Sequence, residues 1–368
     1  MITQTSPEIQ LLLHCSRIRM EPERLQIVRA LLKQKLDWTF LTNEAKRHVV
    51  RPLLYHSLQT VRNEVEGKFW AGLHEYYCNN AARNLFLAHE LIRLLNLFAA
   101  NGIQAVPYKG PVLAAAAYGS LSLREFADLD VLAHENDVLK IKELLSTEGY
   151  KVIIGRNPEA YYLKHKYHFP FVHPEKNVMI EIHWRFTKRF WSFDLKEDDL
   201  WNRLNKIHFA GADVWNFSPE DLLLILSMHG TKHRWNRLAW ICDIAQLIQS
   251  SPDFDWDWTI KQAKRTGSIR VLRIGLWMAQ HLLDVSFSEN VRAMLAHDHT
   301  AKRISRALQT EILNNHPDNN ARFFFIETRE RLRDKTRVAI YYLRAGSASF
   351  TGLLRDSLKN RIISREKK

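Results

Sequence analysis

Glycine and proline are scarce in this 368-residue chain, at 13 and 11 residues. That shortage disfavours a loop-rich fold and favours long helices joined by few open loops. Cysteine is scarcer still. Cys15, Cys78 and Cys242 are odd in number, dispersed and without a CxxC spacing. This excludes a disulfide framework or a cysteine zinc site and predicts reduced core residues of a cytoplasmic protein. No segment approaches the roughly 18 consecutive apolar residues of a membrane span. The first twenty residues, MITQTSPEIQLLLHCSRIRM, place their charges after a short apolar run. A secretory signal has the reverse order, so a cytoplasmic location is expected. Internal repeats and low-complexity segments are also lacking.

What is present suits a packed protein. The hydrophobic fraction is 46% and the aromatic fraction 11%, far from a disordered composition and sufficient for about two domains. The formal net charge is +13, and residues 321–368 supply +8 of it, with thirteen Lys/Arg against five Asp/Glu. Such a balance suits a polyanionic partner such as a nucleotide, a nucleic acid or an anionic surface.

Apolar residues recur at helical spacing from residue 7 to about 100, as in ERLQIVRALLKQ, NEAKRHVVRPLLYHSLQTV and AARNLFLAHELIRLLNLFAANG. The last run stops at Asn101-Gly102. The texture then changes to strand, helix, strand: IQAVPYKG, a helix opening at Pro111, and DLDVLAH. An amphipathic helix follows, with Asn136 as its expected N-cap and Gly149 as its stop. KVII reads as a further short strand. NVMIEIHWRF alternates strictly, with Val178, Ile180 and Ile182 on one face and Met179, Glu181 and His183 on the other. Beyond Ser218, the expected N-cap before Pro219, the pattern is helical again. The predicted fold is α+β, a small mixed sheet flanked by helical regions at both ends. Its expected units are residues 1–100, a core over 101–217, a helical domain over 218–320 packing on the cleft, and a basic extension over 321–368.

The chemistry concentrates in REFADLDVLA. Asp128 and Asp130 share one face of a predicted strand while Leu129 and Val131 point into the core. Burying two carboxylates side by side is costly unless a cation neutralises them. A hard divalent ion, Mg²⁺ or Mn²⁺, accepts oxygen ligands of this kind together with substrate phosphates. A third carboxylate on a neighbouring strand would allow a two-metal phosphoryl-transfer site, and Glu181 is the candidate. Upstream, Lys109-Gly110 lies at a strand–helix junction. There the free amides at the helix start, a glycine that permits close approach and a lysine charge all suit a triphosphate.

The segments YKGPVLAAAAYGSLSLREFADLDVLA, IEIHWRF and HGTKHRWNRLAWICDIAQLI together resemble the bacterial uncharacterised nucleotidyltransferase family of the polymerase-β-like superfamily. The resemblance spans roughly residues 35–250. It implies a nucleotidyltransferase core that moves an NMP group from an NTP donor to a hydroxyl acceptor with release of pyrophosphate. It also implies that Asp128, Asp130 and Glu181 are catalytic metal ligands, with Asp130 or Glu181 helping to activate the acceptor hydroxyl. Lys109-Gly110 stands where most of the superfamily has Gly-Ser. The resemblance further implies a transferase that binds a metal ion and ATP. The acceptor, whether small molecule, protein or RNA, is not legible in the sequence.

Arg124, Lys232 and Arg237 join Lys109 and Gly110 as expected nucleotide-binding residues. His183, His229 and His233 are expected to support the site from just behind it. Asp243, inside an apolar helix, is expected to pair with an Arg or His of HGTKHRWNR. The tryptophans Trp184, Trp191, Trp201, Trp215, Trp235 and Trp240 are expected to pack rather than stack on bases. The alternative function is a non-catalytic protein of the same fold that binds nucleic acid or a protein partner through its basic surface.

Overall fold

A computed structural model describes residues 5–154, 158–191, 193, 195, 197–314 and 321–343. Helices α1 (Pro7–Cys15), α2 (Pro22–Leu32), α3 (Trp38–His48), α4 (Arg51–Leu58) and α5 (Gly67–Ala100) open the chain. The single apolar period across NEAKRHVVRPLLYHSLQTV is split between α3 and α4 by Val49, whose φ of 60° is left-handed. At 34 residues α5 is about 50 Å long. It ends at Asn101-Gly102 as expected, with Gly102 at a φ of 71°.

The next elements are β1 (Ala105–Pro107), α6 (Gly110–Tyr118), β2 (Asp128–Ala133), α7 (Val138–Thr147), β3 (Lys151–Val152), α8 (Glu159–His165), β4 (His168–His173) and β5 (Val178–His183). The strands form one sheet in the order β1-β2-β5-β4-β3. Only β2 and β5 run parallel, so the sheet is mixed, as expected of an α+β core. Asn136 is not the cap of α7. It lies inside a 3-10 turn, Glu135–Asp137, and α7 starts two residues later. β4 has no simple strand signature because Pro170 sits in its interior, a residue that cannot donate to a ladder. Its carbonyl still accepts from the Ile153 amide at 2.8 Å.

Past α9 (Glu197–Trp201) a hairpin of β6 (Asn205–Phe209) and β7 (Ala212–Asn216) leads into α10 (Pro219–Lys232). The cap of α10 is as expected. The Ser218 hydroxyl accepts from the Asp221 amide, and Pro219 occupies the first turn. Then come α11 (Leu238–Gln249), α12 (Trp256–Thr266), α13 (Ile269–Leu283), α14 (Glu289–Ala296), α15 (His299–Asn314) and α16 (Ala321–Glu327), with residues 332–343 also helical. The expected basic extension lies outside the described residues from 344 onward.

Two apolar cores result. Leu129, Val131, Phe169, Phe171, Ile180 and Ile182 on one sheet face pack with Leu87, Leu91 and Phe98 of α5 and Ile141 and Leu145 of α7. The second core joins α1–α4 and the start of α5 to α10–α15. α5 therefore reaches both. The sheet's other face carries Asp128, Asp130, Glu181 and His183 together with Val106 and Leu132, which join the second core, and α6 lies beside α11.

Candidate active site

Strand alternation places Asp128 and Asp130 on the polar face, opposite the buried Leu129 and Val131. The parallel register then pairs Asp128 with Met179, Asp130 with Glu181 and Leu132 with His183. Asp130 and Glu181 are therefore direct cross-strand neighbours. Glu175, the nearest other acid in sequence, is exposed in the β4–β5 turn and outside the cluster.

Asp130 is the hub. Its Oδ2 lies 2.8 Å from Lys109 Nζ, and its Oδ1 lies 3.1 Å from His183 Nε2. The Tyr108 hydroxyl also points at Oδ1, at 3.4 Å. His183 Nε2 is 3.2 Å from Glu181 Oε2, and His168 Nε2 is 3.7 Å from the same oxygen. His168, Glu181 and His183 bring ligand-capable atoms within 4.8 Å of one another. Asp128 has no ion pair among the described residues. Gly110 supports this arrangement through its backbone. Its φ is +54°, and a Cβ there would lie 3.1 Å from the Asp128 carbonyl.

The three carboxyls respond differently to these surroundings. Burial raises the Asp128 pKa, and the adjacent Asp130 charge adds to that, so it rises to about 6 despite the pull of Lys109. For Asp130, burial works the same way, but Lys109 and His183 outweigh it and hold the group well below the carboxylate range. Burial of Glu181 is likewise outweighed by His168 and His183, leaving a pKa of about 2. Burial pushes His168 itself down to about 3, so that ring is uncharged near neutrality. His183 is opposed by burial, but its bonds to Asp130 and Glu181 outweigh that and raise its pKa above the ordinary imidazole value.

Other expected residues fall into place differently. Arg124 is committed to Asp243, Nε to Oδ1 at 2.7 Å and Nη2 to Oδ2 at 2.9 Å, rather than left open to a phosphate. A buried carboxylate needs a partner, and Asp243 finds it in Arg124 and the Tyr118 hydroxyl (2.7 Å), not in HGTKHRWNR. Arg234 of that segment instead meets Glu311 at 2.8 Å. Lys232 Nζ is 3.0 Å from the Tyr167 hydroxyl. Arg237 lies 5.6 Å from the Trp240 ring centre and feels the Asp128 charge. His229 and His233 are adjacent, 4.7 Å between ring centres, and burial keeps both far below the ordinary imidazole pKa. Lys109 and Lys232 reinforce that shift.

Sequence reasoning overlooked Tyr108, Tyr167 and His168. The alternation of Phe169 and Phe171 places His168 on the Glu181 face, but Pro170 obscures the strand that carries it. Of the tryptophans, Trp184, Trp191 and Trp235 are buried as expected. Trp215 is 40% exposed on its hairpin, and Trp240 is half-buried against His229 and His233. Cys78 is exposed rather than in the core. A groove of about 550 Å³ between Arg203, Ser218, Glu220 and Phe254 is remote from this chemistry. Its Arg203 is already paired with Asp221 and Glu220.

The small mixed sheet between helical regions is an α+β architecture consistent with a nucleotidyltransferase fold. Residues 34–284 match the family described as uncharacterised nucleotidyltransferase, and the chain belongs to that family. Nucleotidyl transfer is the class of activity its description carries. A search of curated proteins and of solved structures finds no match to the chain.

Proposed function

We propose that this protein is a divalent-metal-dependent enzyme that transfers an NMP group from an NTP to a hydroxyl acceptor, releasing pyrophosphate. The observation that carries the reading is the parallel β2–β5 register, which gathers Asp128, Asp130 and Glu181 on one face. Three carboxylates against the one ammonium of Lys109 leave an excess of negative charge, and their oxygens suit a hard divalent cation. Asp128, Asp130 and Glu181 would hold Mg²⁺ or Mn²⁺. When bound, the ion neutralises developing charge on the transferring phosphoryl group.

The chain's own residues supply positioning and proton handling. The acceptor oxygen bonds to the α-phosphorus as the bond to the bridging oxygen breaks, and its proton passes to a carboxylate of this cluster. His183, tied to Asp130 and Glu181 through one nitrogen, fixes the orientation of both. Lys232 and Arg237, on the α10–α11 segment, supply positive charge for the triphosphate. The Gly110 amide at the start of α6 adds a donor at the same mouth.

The test is incubation with α-labelled and γ-labelled NTPs plus cell extract. Label from the α-position should enter an acceptor, and Asp130→Asn should reduce that by about a hundredfold or more. NTP binding should vanish with EDTA. Equal NTP affinity with and without divalent ions by calorimetry would refute the metal-dependent reading.

A further inference from the structure

Resting on the nucleotidyltransferase reading, we propose that His229, His233 and Trp240 form the base-binding wall of this site, and that the donor it takes is a purine nucleoside triphosphate. His229, Lys232 and His233 stand at i, i+3 and i+4 along the end of α10, so they share one helix face. The short link to α11 brings Trp240 against both imidazoles, 5.6 Å from His229 and 5.0 Å from His233 between ring centres. The His229 ring is perpendicular to the indole at 88°, whereas His233 is inclined to it by 37°. Trp240 and His233 thus make a shallow aromatic floor with His229 as its side. The wall adjoins the acidic cluster. Lys232 Nζ meets the Tyr167 hydroxyl at 3.0 Å, and the Tyr167 ring lies 6.0 Å from that of His183. At the other end Arg237 lies 5.6 Å from the Trp240 ring centre and within reach of the Asp128 charge. Both cations assigned to the triphosphate therefore border this wall.

The polar atoms of this wall are uncommitted. The side chains of His229, His233, Arg237 and Trp240 make no hydrogen bond or ion pair among the described residues. Arg124 and Arg234, by contrast, are held by Asp243 and Glu311. All four uncommitted side chains are only partly buried, so their nitrogens reach solvent rather than being sealed in a packing seam. An indole and two imidazoles placed for packing alone would have their polar atoms paired. A nucleobase offers the matching surfaces, an apolar face and a polar edge. With the triphosphate on Lys232 and Arg237, the face stacks on Trp240 and His233 and the edge meets the free nitrogens of His229. Two rings with centres 5.0 Å apart underlie a bicyclic base across its width, whereas a pyrimidine covers only one of them.

The experiment is calorimetry on the full chain with Mg²⁺ and the unreactive α,β-methylene analogues of ATP, GTP, CTP and UTP. Inorganic tripolyphosphate serves as the probe without a base. Wild type should bind the purine analogues about tenfold more tightly than the pyrimidine ones. Trp240→Leu should abolish that preference while leaving tripolyphosphate affinity unchanged, and Trp240→Phe should retain most of it. If Trp240→Leu does not fold, as judged by circular dichroism, His233→Ala takes its place. Equal affinity of wild type for the four bases, or a purine preference that survives in the folded Trp240→Leu or His233→Ala chain, would overturn the proposal while leaving nucleotidyl transfer intact. A wild-type chain that binds neither tripolyphosphate nor any analogue overturns the nucleotidyltransferase reading and this inference with it.

Discussion

Asp128 and Asp130 are two residues apart on one strand, yet their environments oppose each other. Asp130 is met by a lysine and a histidine, whereas Asp128 meets mainly the negative charge of Asp130. Their replacements should therefore move stability in opposite directions in the absence of metal. Asp130→Asn breaks charge-assisted bonds to two buried partners and should cost about 1.5–3 kcal/mol per bond, lowering the melting temperature. Asp128→Asn relieves repulsion and should leave it unchanged or raise it. The pH dependence follows by linkage. With its pKa raised to about 6, Asp128 in the fold holds a proton that the unfolded chain releases near pH 4. The contribution of Asp128 to stability therefore falls as pH rises from about 4 to about 6. The stability of Asp128→Asn relative to wild type should be small at pH 4 and grow toward pH 7 in urea melts with EDTA. A flat difference would show that Asp128 is not repelled as the geometry requires. For Glu181 and Asp130, whose pKa values are depressed, the stabilisation is present above about pH 4 and is lost on acidification.

Local pattern and element agree at several positions where the deciding contacts are near in sequence. The Ser218 cap, the Gly149 and Gly102 stops and the strand alternation of β2 and β5 are all short-range, and each stands as the residues imply. Two local signals nevertheless mislead. Asn136 lost its cap role to a 3-10 turn, and β4 was hidden by a proline that its neighbours tolerate. The β1–α6 junction is the element most sensitive to a single change. Gly110 combines a left-handed φ with a close backbone neighbour, so Gly110→Ala adds strain of about 1–3 kcal/mol and pushes on the Asp128 carbonyl. Thermal melts should record that loss, and NTP affinity should fall with it because Asp128 is displaced. An unchanged affinity would separate Gly110 from the site.

Across the whole molecule, the sheet is tied to the helical core by buried charges. Asp243 of α11 holds Arg124, just before β2, and Tyr118 of α6. Glu90 of α5 accepts from Arg93, Tyr150 and Lys176, and its pKa is held at about 2 against the effect of burial. Breaking the first of these should be costly. Asp243→Asn leaves a buried guanidinium without its charge partner, and a loss of about 3–5 kcal/mol is expected. The double replacement Arg124→Met with Asp243→Leu should recover most of it, because it removes both desolvated charges. Urea unfolding of the two variants measures this. A double variant as unstable as the single one would mean that the pair, rather than its desolvation, holds the interface.

From the sequence alone one could read the helical regions at both ends, the strand, helix, strand order around Lys109 and Asp128, the common face of Asp128 and Asp130, and the presence of Glu181 on an alternating strand. Each of these depends on a period of two or 3.6 residues or on a cap within four, and such terms act within a few residues along the chain. The tertiary structure decided which strands are neighbours and which charges meet. The bond between Asp130 and His183 spans 53 residues and that between Arg124 and Asp243 spans 119. No local preference encodes such a meeting. Lys109 and Arg124 illustrate the difference. Both looked like phosphate ligands, because a cation near an acidic strand carries the same signal whether or not a carboxylate reaches it first. Burial settled the matter, since a carboxylate removed from water binds the nearest cation that the fold brings within reach.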